Sequence, residues 1–244
     1  MSQLVIDIGN SRTKLAVFEG RKLIEYDRLG HLSDSQLRDF LKPRSIQKSI
    51  ISSVSDDIKP LENVLIEKTK YTRFSAALST GIANQYKSPE TLGLDRLAGV
   101  IGARTAFPGE NCLVIDLGTC ITYDAVSKDG IYRGGNISPG LKMRLRAMHD
   151  FTGRLPLIEL EDFGDLEGND TATSMLSGVV NGTFSELTGF IEQYSRRYSD
   201  LQVILCGGDA NFFDTRLKNS IFAHTLKTVP DLVLIGLNEV INQQ

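Results

Sequence analysis

The chain has 244 residues, 41% hydrophobic and 23% charged, close to the soluble globular average; this excludes disordered, collagen-like and coiled-coil classes and suits one large domain or two small ones. Its 27 Lys and Arg against 30 Asp and Glu leave a net charge of −3, so no overall positive field holds a nucleic-acid duplex by counterion release, and no nucleic-acid partner is expected. No run approaches the roughly 18 apolar residues of a membrane helix, and Cys112, Cys120 and Cys206 form neither a disulfide framework nor a zinc pattern, so a cytoplasmic protein with reduced thiols and no membrane partner is expected.

The first element, Leu4-Val5-Ile6, is a continuous apolar strand without a basic leader before it, ending in Asp7 and a turn-permitting Gly9. A second strand-like run reaches Ala16-Val17, and Lys22 to Tyr26 supplies a third. Ser33 or Asp34 caps a helix that Pro43 stops, Ile50 to Val54 reads as a strand, and Pro60 to Lys68 as a helix with Pro near its first turn. In Asp95 to Ala106, the small residues Ala98, Gly99, Gly102 and Ala103 allow close helix packing. Leu4-Val5-Ile6-Asp7-Ile8-Gly9 then recurs as Leu113-Val114-Ile115-Asp116-Leu117-Gly118, 109 residues on, with eight identities over the fourteen positions 4–17. Another short strand follows at Gly130 to Arg133, a long helical stretch runs from Ser174 to Tyr198, Val203 to Cys206 is a buried strand ending in Gly207-Gly208, and Asp231 to Asn242 is a closing helix.

Two copies of one pattern imply an α/β chain of two related domains, 1–110 and 111–244, each a β-meander continued into a mixed sheet flanked by helices. No Gly/Ser-rich linker separates them, so a close junction near Pro108 to Asn111 is expected, with a cleft of the kind in which ligand sites form.

The paired Asp-x-Gly turns carry the chemistry. A strand-ending Asp followed by Gly, with Asn10-Ser11 or Thr119 next, places a carboxylate and small polar donors beside a backbone that can approach phosphate oxygens closely. Carboxylates repel phosphates unless a cation lies between, so Asp7 and Asp116 are expected to hold Mg²⁺ or another cation against a nucleotide's phosphates. The alternative for each Asp alone is that it caps its own turn. Lys14, in the second strand, either neutralises phosphate charge or is a solvated strand lysine. Neither a Gly-x-x-x-x-Gly-Lys-Ser/Thr loop nor a Gly-x-Gly-x-x-Gly turn is present, which removes the main support for P-loop and Rossmann readings, and His31, His149 and His224 are isolated and take no role.

At this point the motifs resemble a known superfamily. Asp7-Ile8-Gly9-Asn10-Ser11-Arg12-Thr13-Lys14, then Asp116-Leu117-Gly118-Thr119, then Gly207-Gly208, are similar in kind and order to the phosphate 1, phosphate 2 and adenosine motifs of the acetate/sugar kinase, Hsp70 and actin superfamily. Ser88-Pro89-Glu90-Thr91-Leu92-Gly93-Leu94-Asp95-Arg96 and Tyr132-Arg133-Gly134-Gly135-Asn136-Ile137-Ser138-Pro139-Gly140 resemble the type III pantothenate kinases within it. The resemblance spans nearly the whole chain. It implies duplicated ribonuclease H-like (actin-like ATPase) domains and phosphorylation of pantothenate by ATP with Mg²⁺, in a homodimer that uses K⁺ or NH₄⁺. By the same resemblance, Asp95 in Gly93-Leu94-Asp95-Arg96 is catalytic, and residues Asp7 to Lys14 and Thr119 bind ATP. Tyr86, Gly93, Leu94, Arg96 and Thr171 would contact pantothenate, and Asp116 would hold the monovalent cation. Locally, Asp95 sits where a helix dipole favours negative charge, and in a loose phosphoryl-transfer transition state orienting the hydroxyl matters more than basicity. Arg96 offers a planar fork of donors for a carboxylate or phosphate. Read alone, Tyr86 is an exposed tyrosine and Thr171 a helix N-cap. The long stretch Met175 to Ile191, with Gly178, Gly182 and Gly189, is a candidate interface helix, or packs only on its own sheet. Two rival functions are kept: another small-molecule kinase of the superfamily, and a non-catalytic transcriptional accessory or regulatory relative.

Overall fold

Strand β1 (Ser2–Ile8) runs antiparallel to β2 (Thr13–Glu19), which turns into β3 (Lys22–Leu29), so the expected opening meander forms. The computed structural model describes every residue except Ser11, Ser55, Asp56 and Ser79. The chain divides into two compact units, Met1–Gly109 with Lys128–Arg133 and Asp231–Gln244, and Glu110–Ser127 with Gly134–Pro230.

In the first unit, β4 (Lys48–Ser53) and β5 (Lys70–Arg73) complete a sheet of order β3-β2-β1-β4-β5, with β1, β4 and β5 mutually parallel. Parallel neighbours require crossovers, supplied here by α1 (Asp34–Leu41) and α2 (Lys59–Lys68). Ser33 is the cap of α1: its hydroxyl accepts from the Gln36 amide while the Gln36 side chain returns to the Ser33 N–H, a complete capping box. Strand alternation then sorts the side chains. Leu4, Ile6, Leu15, Val17 and Ile51 face α1 and α2 in one core with Leu37, Val64 and Leu65. Gln3, Val5 and Asp7 face the other way, towards α3 (Leu94–Ala106) and the last helix, α7 (Leu232–Gln243). These two helices touch through glycines. A Cβ on Gly102 would lie 2.2 Å from the Leu232 carbonyl oxygen, and one on Gly236 would lie 1.9 Å from that of Ala98. The small residues of α3 thus do permit close packing.

The second unit repeats the hairpin with β7 (Asn111–Leu117) and β8 (Cys120–Val126), followed by β9 (Ile131–Pro139), whose first residues belong to the first unit and pair with the short β6 (Ala83–Asn84). Parallel strands β10 (Leu201–Cys206) and β11 (Leu226–Thr228) extend the sheet beyond β7. Leu113, Ile115, Leu117, Ile121, Tyr123, Val203 and Leu205 form one face of a core with α4 (Leu141–Asp150), α5 (Thr171–Arg197) and α6 (Ala210–Lys218). The N-cap of α5 is Asp170, whose carboxylate accepts from the Thr173 amide at 2.8 Å, and not Thr171, which is the first helical residue. Among the described residues no helix is long and apolar enough to cross a membrane.

The two hairpins, gapless repeats in sequence, differ by one residue in register. Asp7 lies opposite Lys14, but Asp116 lies opposite Thr122, where a strict repeat would put Tyr123. The cause is turn length: Gly9 donates to the Arg12 carbonyl, three residues on, whereas Gly118 donates to that of Cys120, two residues on, both at 3.0 Å. A one-residue slip exchanges sheet faces, so Tyr123 enters the core instead of standing beside Asp116.

Candidate active site

In the first unit, cross-strand pairing puts Lys14 on the same sheet face as Asp7, and their side chains form an ion pair at 3.7 Å. Asp7 is only 9% exposed. Burial pushes its carboxyl up to about 6; Lys14 pulls it down, the charge of Asp95 pushes it up, and burial wins. Ile8 and Gly9 follow half-buried, with Asn10 and Arg12 exposed at the turn and Thr13 buried under it. Ser11 lies outside the described residues. Lys14 therefore stands beside Asp7, half-buried rather than freely solvated.

Asp95 occupies the first turn of α3, and its Oδ1 accepts from the Arg96 amide at 2.8 Å. A Cβ at Gly93, the N-cap, would lie 2.6 Å from that Oδ1, so a glycine there makes room for the carboxylate. Asp95 is exposed whereas Arg96 is buried, its guanidinium carbon 5.7 Å from the centre of the Tyr86 ring. Tyr86, read from sequence as an exposed tyrosine, is half-buried: its ring stacks on the buried Tyr132, centroids 6.4 Å apart and planes 6° from parallel. The β6–β9 pairing holds it there, with the Gln85 amide donating to the Tyr132 carbonyl at 2.8 Å. Leu94, next to Asp95, is half-buried. The structure thus brings Asp7, Lys14, Asp95, Arg96 and Tyr86 onto one unit, and Tyr132 is the member that sequence reasoning missed as a side-chain support; its place beside Gly134-Gly135 was the available signal.

In the second unit, Asp116 precedes a turn crowded by backbone. A Cβ on Gly207, which adopts φ +91°, would lie 2.4 Å from Asp116 Oδ1 and 2.5 Å from the Leu117 carbonyl oxygen. The Asp209 amide donates to that carbonyl at 2.8 Å, so the Gly207-Gly208 turn is tied to the Asp116 turn. Gly140 closes another side, donating to the Thr119 carbonyl at 3.1 Å, where a Cβ would lie 2.5 Å from the carbonyl oxygens of both Gly118 and Thr119. Thr119 is exposed, as is Thr171 at the start of α5. Three motifs far apart in sequence, at Asp116 to Thr119, Pro139-Gly140 and Gly207-Gly208, are therefore one local structure.

Among the described residues no group of three or more His, Cys, Asp or Glu side chains converges on a metal position. The donor chemistry instead fits magnesium carried in with phosphate: the ion takes few protein carboxylates, and the mutual repulsion of Asp7 and Asp95 is what a cation relieves.

Two solved structures share this architecture over nearly its whole length. One, from Campylobacter jejuni, goes by the name of a Baf family transcriptional activator, with a TM-score of 0.61 at 21% identity and 98% of each chain covered. The other, assigned as a 2-dehydro-3-deoxygalactonokinase of Sinorhizobium meliloti, gives 0.60 at 13% identity, covering 99% of this chain and 98% of its own. Two mixed sheets flanked by helices, each opening with an Asp-x-Gly hairpin, are the fold that this chain shares with these two solved structures. A family model of type III pantothenate kinase matches residues 3–193, and the type III pantothenate kinase of Bacteroides fragilis strain YCH46 is 42% identical over 243 residues, 98% of this chain and 97% of its own. The chain belongs to the type III pantothenate kinase family.

Proposed function

We propose that this protein transfers the γ-phosphoryl group of ATP to the terminal hydroxyl of pantothenate, releasing ADP and 4′-phosphopantothenate, the first step of coenzyme A synthesis. Membership of the family carries this reading, and the Asp7, Asp95 and Arg96 constellation supports it locally. Asp95 orients the hydroxyl and takes its proton as the oxygen bonds to phosphorus and the bond to ADP breaks. Arg96, its guanidinium carbon 5.7 Å from the centre of the Tyr86 ring, binds the pantothenate carboxylate, with Tyr86, Gly93, Leu94 and Thr171 lining the same substrate. Residues Asp7 to Lys14 and Thr119 receive the ATP phosphates, and a divalent metal bound with ATP, held beside Asp7, would supply positive charge to the transferred group. Asp116 holds K⁺ or NH₄⁺; its cross-strand neighbour is the neutral Thr122, where Asp7 has a lysine.

The functional protein is a homodimer in this reading. Among the described residues, nothing outside the local backbone of α5 lies within 4 Å of where a Cβ would stand on Gly178, Gly182 or Gly189, which leaves that helix face open to a second copy.

Purified protein with Mg-ATP, K⁺ and pantothenate should release ADP and form 4′-phosphopantothenate. Asp95→Asn should lose about 10² to 10⁴-fold in turnover while still binding nucleotide, since Asn preserves size but cannot take the proton. Turnover of a sugar or short carboxylate with pantothenate untouched would refute the acceptor assigned here. A protein that neither binds ATP nor phosphorylates anything would favour the regulatory relative.

A further inference from the structure

The register slip that turns Tyr123 into the core gives it a partner on α5. The Tyr123 hydroxyl donates to Glu186 Oε1 at 2.7 Å, and the other carboxylate oxygen, Oε2, accepts from Arg144 Nη2 of α4 at 2.5 Å. The same Nη2 donates to Ser138 Oγ at 2.8 Å, and Arg144 Nε donates to the Pro139 carbonyl at 2.8 Å. Burial pushes the Glu186 carboxyl up, but bonds from Arg144, Tyr123 and Ser138 together outweigh it and hold the group below its ordinary range. A half-buried carboxylate and guanidinium, side chains 23% and 21% exposed, are thus locked on the last two residues of β9.

Gly140 comes next in the chain. Its N–H bonds the Thr119 carbonyl at 3.1 Å, and its Cα lies against Gly118 and Thr119 with no space for a side chain. A line of contact therefore runs from Glu186 through Arg144, Pro139 and Gly140 to the Gly118-Thr119 turn. We infer that Arg144 and Glu186 are a positioning pair for the nucleotide: acting through Pro139 and Gly140, they set the Gly118-Thr119 turn at the place where it meets the phosphates of ATP. The inference rests on Thr119 as an ATP contact. It requires a planar fork at residue 144, because Nε bonds Pro139 while Nη2 bonds Ser138 and Glu186, and the single nitrogen of a lysine cannot occupy both positions.

The test is the binding of a fluorescent ATP analogue with Mg²⁺, without pantothenate, beside steady-state kinetics for both substrates. Displacing a positioned group by an ångström can cost up to about 10²-fold. We therefore expect Arg144→Lys to raise the nucleotide Kd and the ATP KM about 10-fold, and Glu186→Gln about 3-fold or more. The pantothenate KM and the kcat at saturating ATP should stay within about 2-fold of the parent. The double variant should be little worse than Arg144→Lys, as members of one network are not additive. Nucleotide Kd unchanged in both folded single variants overturns the proposal, and so does a fall in kcat with the ATP KM untouched, which is what loss of properly folded protein alone would give. Should Arg144→Lys not fold, Tyr123→Phe deletes one hydroxyl, and a Kd equal to the parent's there overturns it too. Since Kd is read without pantothenate, a parent protein that binds the analogue but ignores pantothenate refutes the assigned acceptor and leaves this inference to be decided by the Kd values.

Discussion

Replacing Asp7 by Asn should make the protein more stable at neutral pH and inactive. The Asp7 carboxyl is pushed up from 3.8 to about 6, mostly by burial. One pKa unit corresponds to about 1.4 kcal/mol, so keeping this carboxylate ionised in the folded protein costs about 3 kcal/mol relative to the unfolded chain. The sign follows from proton affinity. Between 3.8 and about 6 the folded protein keeps a proton that the unfolded chain has released, so stability falls as pH rises through that window, and the whole cost is present above it. At pH 5 about half of the cost remains. Asn does not ionise and escapes it, and the attraction of Lys14 is already contained in the value of about 6, so losing that ion pair subtracts nothing further. The gain is about 3 kcal/mol at pH 8, which raises Tm by about 6–12 °C for a chain of this length, and it shrinks towards pH 5. Thermal unfolding followed by circular dichroism at the two pH values measures this. A variant whose Tm at pH 8 is unchanged or lower, or whose gain is the same at both pH values, refutes the burial argument. The same titration implies that the parent's affinity for Mg-ATP weakens below about pH 6, as Asp7 gains its proton.

Gly236→Ala should lower stability by about 1–2 kcal/mol: overpacking against the Ala98 carbonyl and the Gly102 amide, 1.9 and 2.9 Å from the new Cβ, outweighs the helix propensity of Ala, and a higher Tm would count against the α3–α7 contact. Phosphorylation of pantothenate should quicken when K⁺ or NH₄⁺ replaces Na⁺, and Asp116→Asn should remove that dependence; equal rates in all three salts would contradict a cation at Asp116. Light scattering at micromolar concentration should give twice the 26.9 kDa of one chain, and the monomer mass throughout would refute the homodimer.

Much of the frame was readable from local chemistry. Continuous apolar runs ending in Asp and Gly gave both hairpins, Ser33 or Asp34 before the apolar pattern gave the start of α1, and the length of the periodic stretch gave α5 to within a few residues. The short strands β5, β6 and β11, of two to four residues, carry no periodicity and were not expected, and α4 and α6 were likewise not read. The candidate site divides the same way. Asp7, Asp95, Arg96 and Asp116 stand in motifs, so their chemistry is visible in one dimension. Tyr132 opens the Tyr132 to Gly140 motif, but nothing there shows that its ring lies against Tyr86, and Arg144 with Glu186, behind Pro139 and Gly140, stand in no motif. An amphipathic helix states which of its faces is apolar but not what that face meets, so the packing of α7 on α3 through Gly236 and Gly102 appears only in the folded chain. The register of the second hairpin is the sharpest case. Two turns with the same Asp-x-Gly pattern close over different numbers of residues, and because side chains alternate across a strand, that single residue decides whether position 14 of the pattern stands beside its aspartate, as Lys14 does, or in the core, as Tyr123 does.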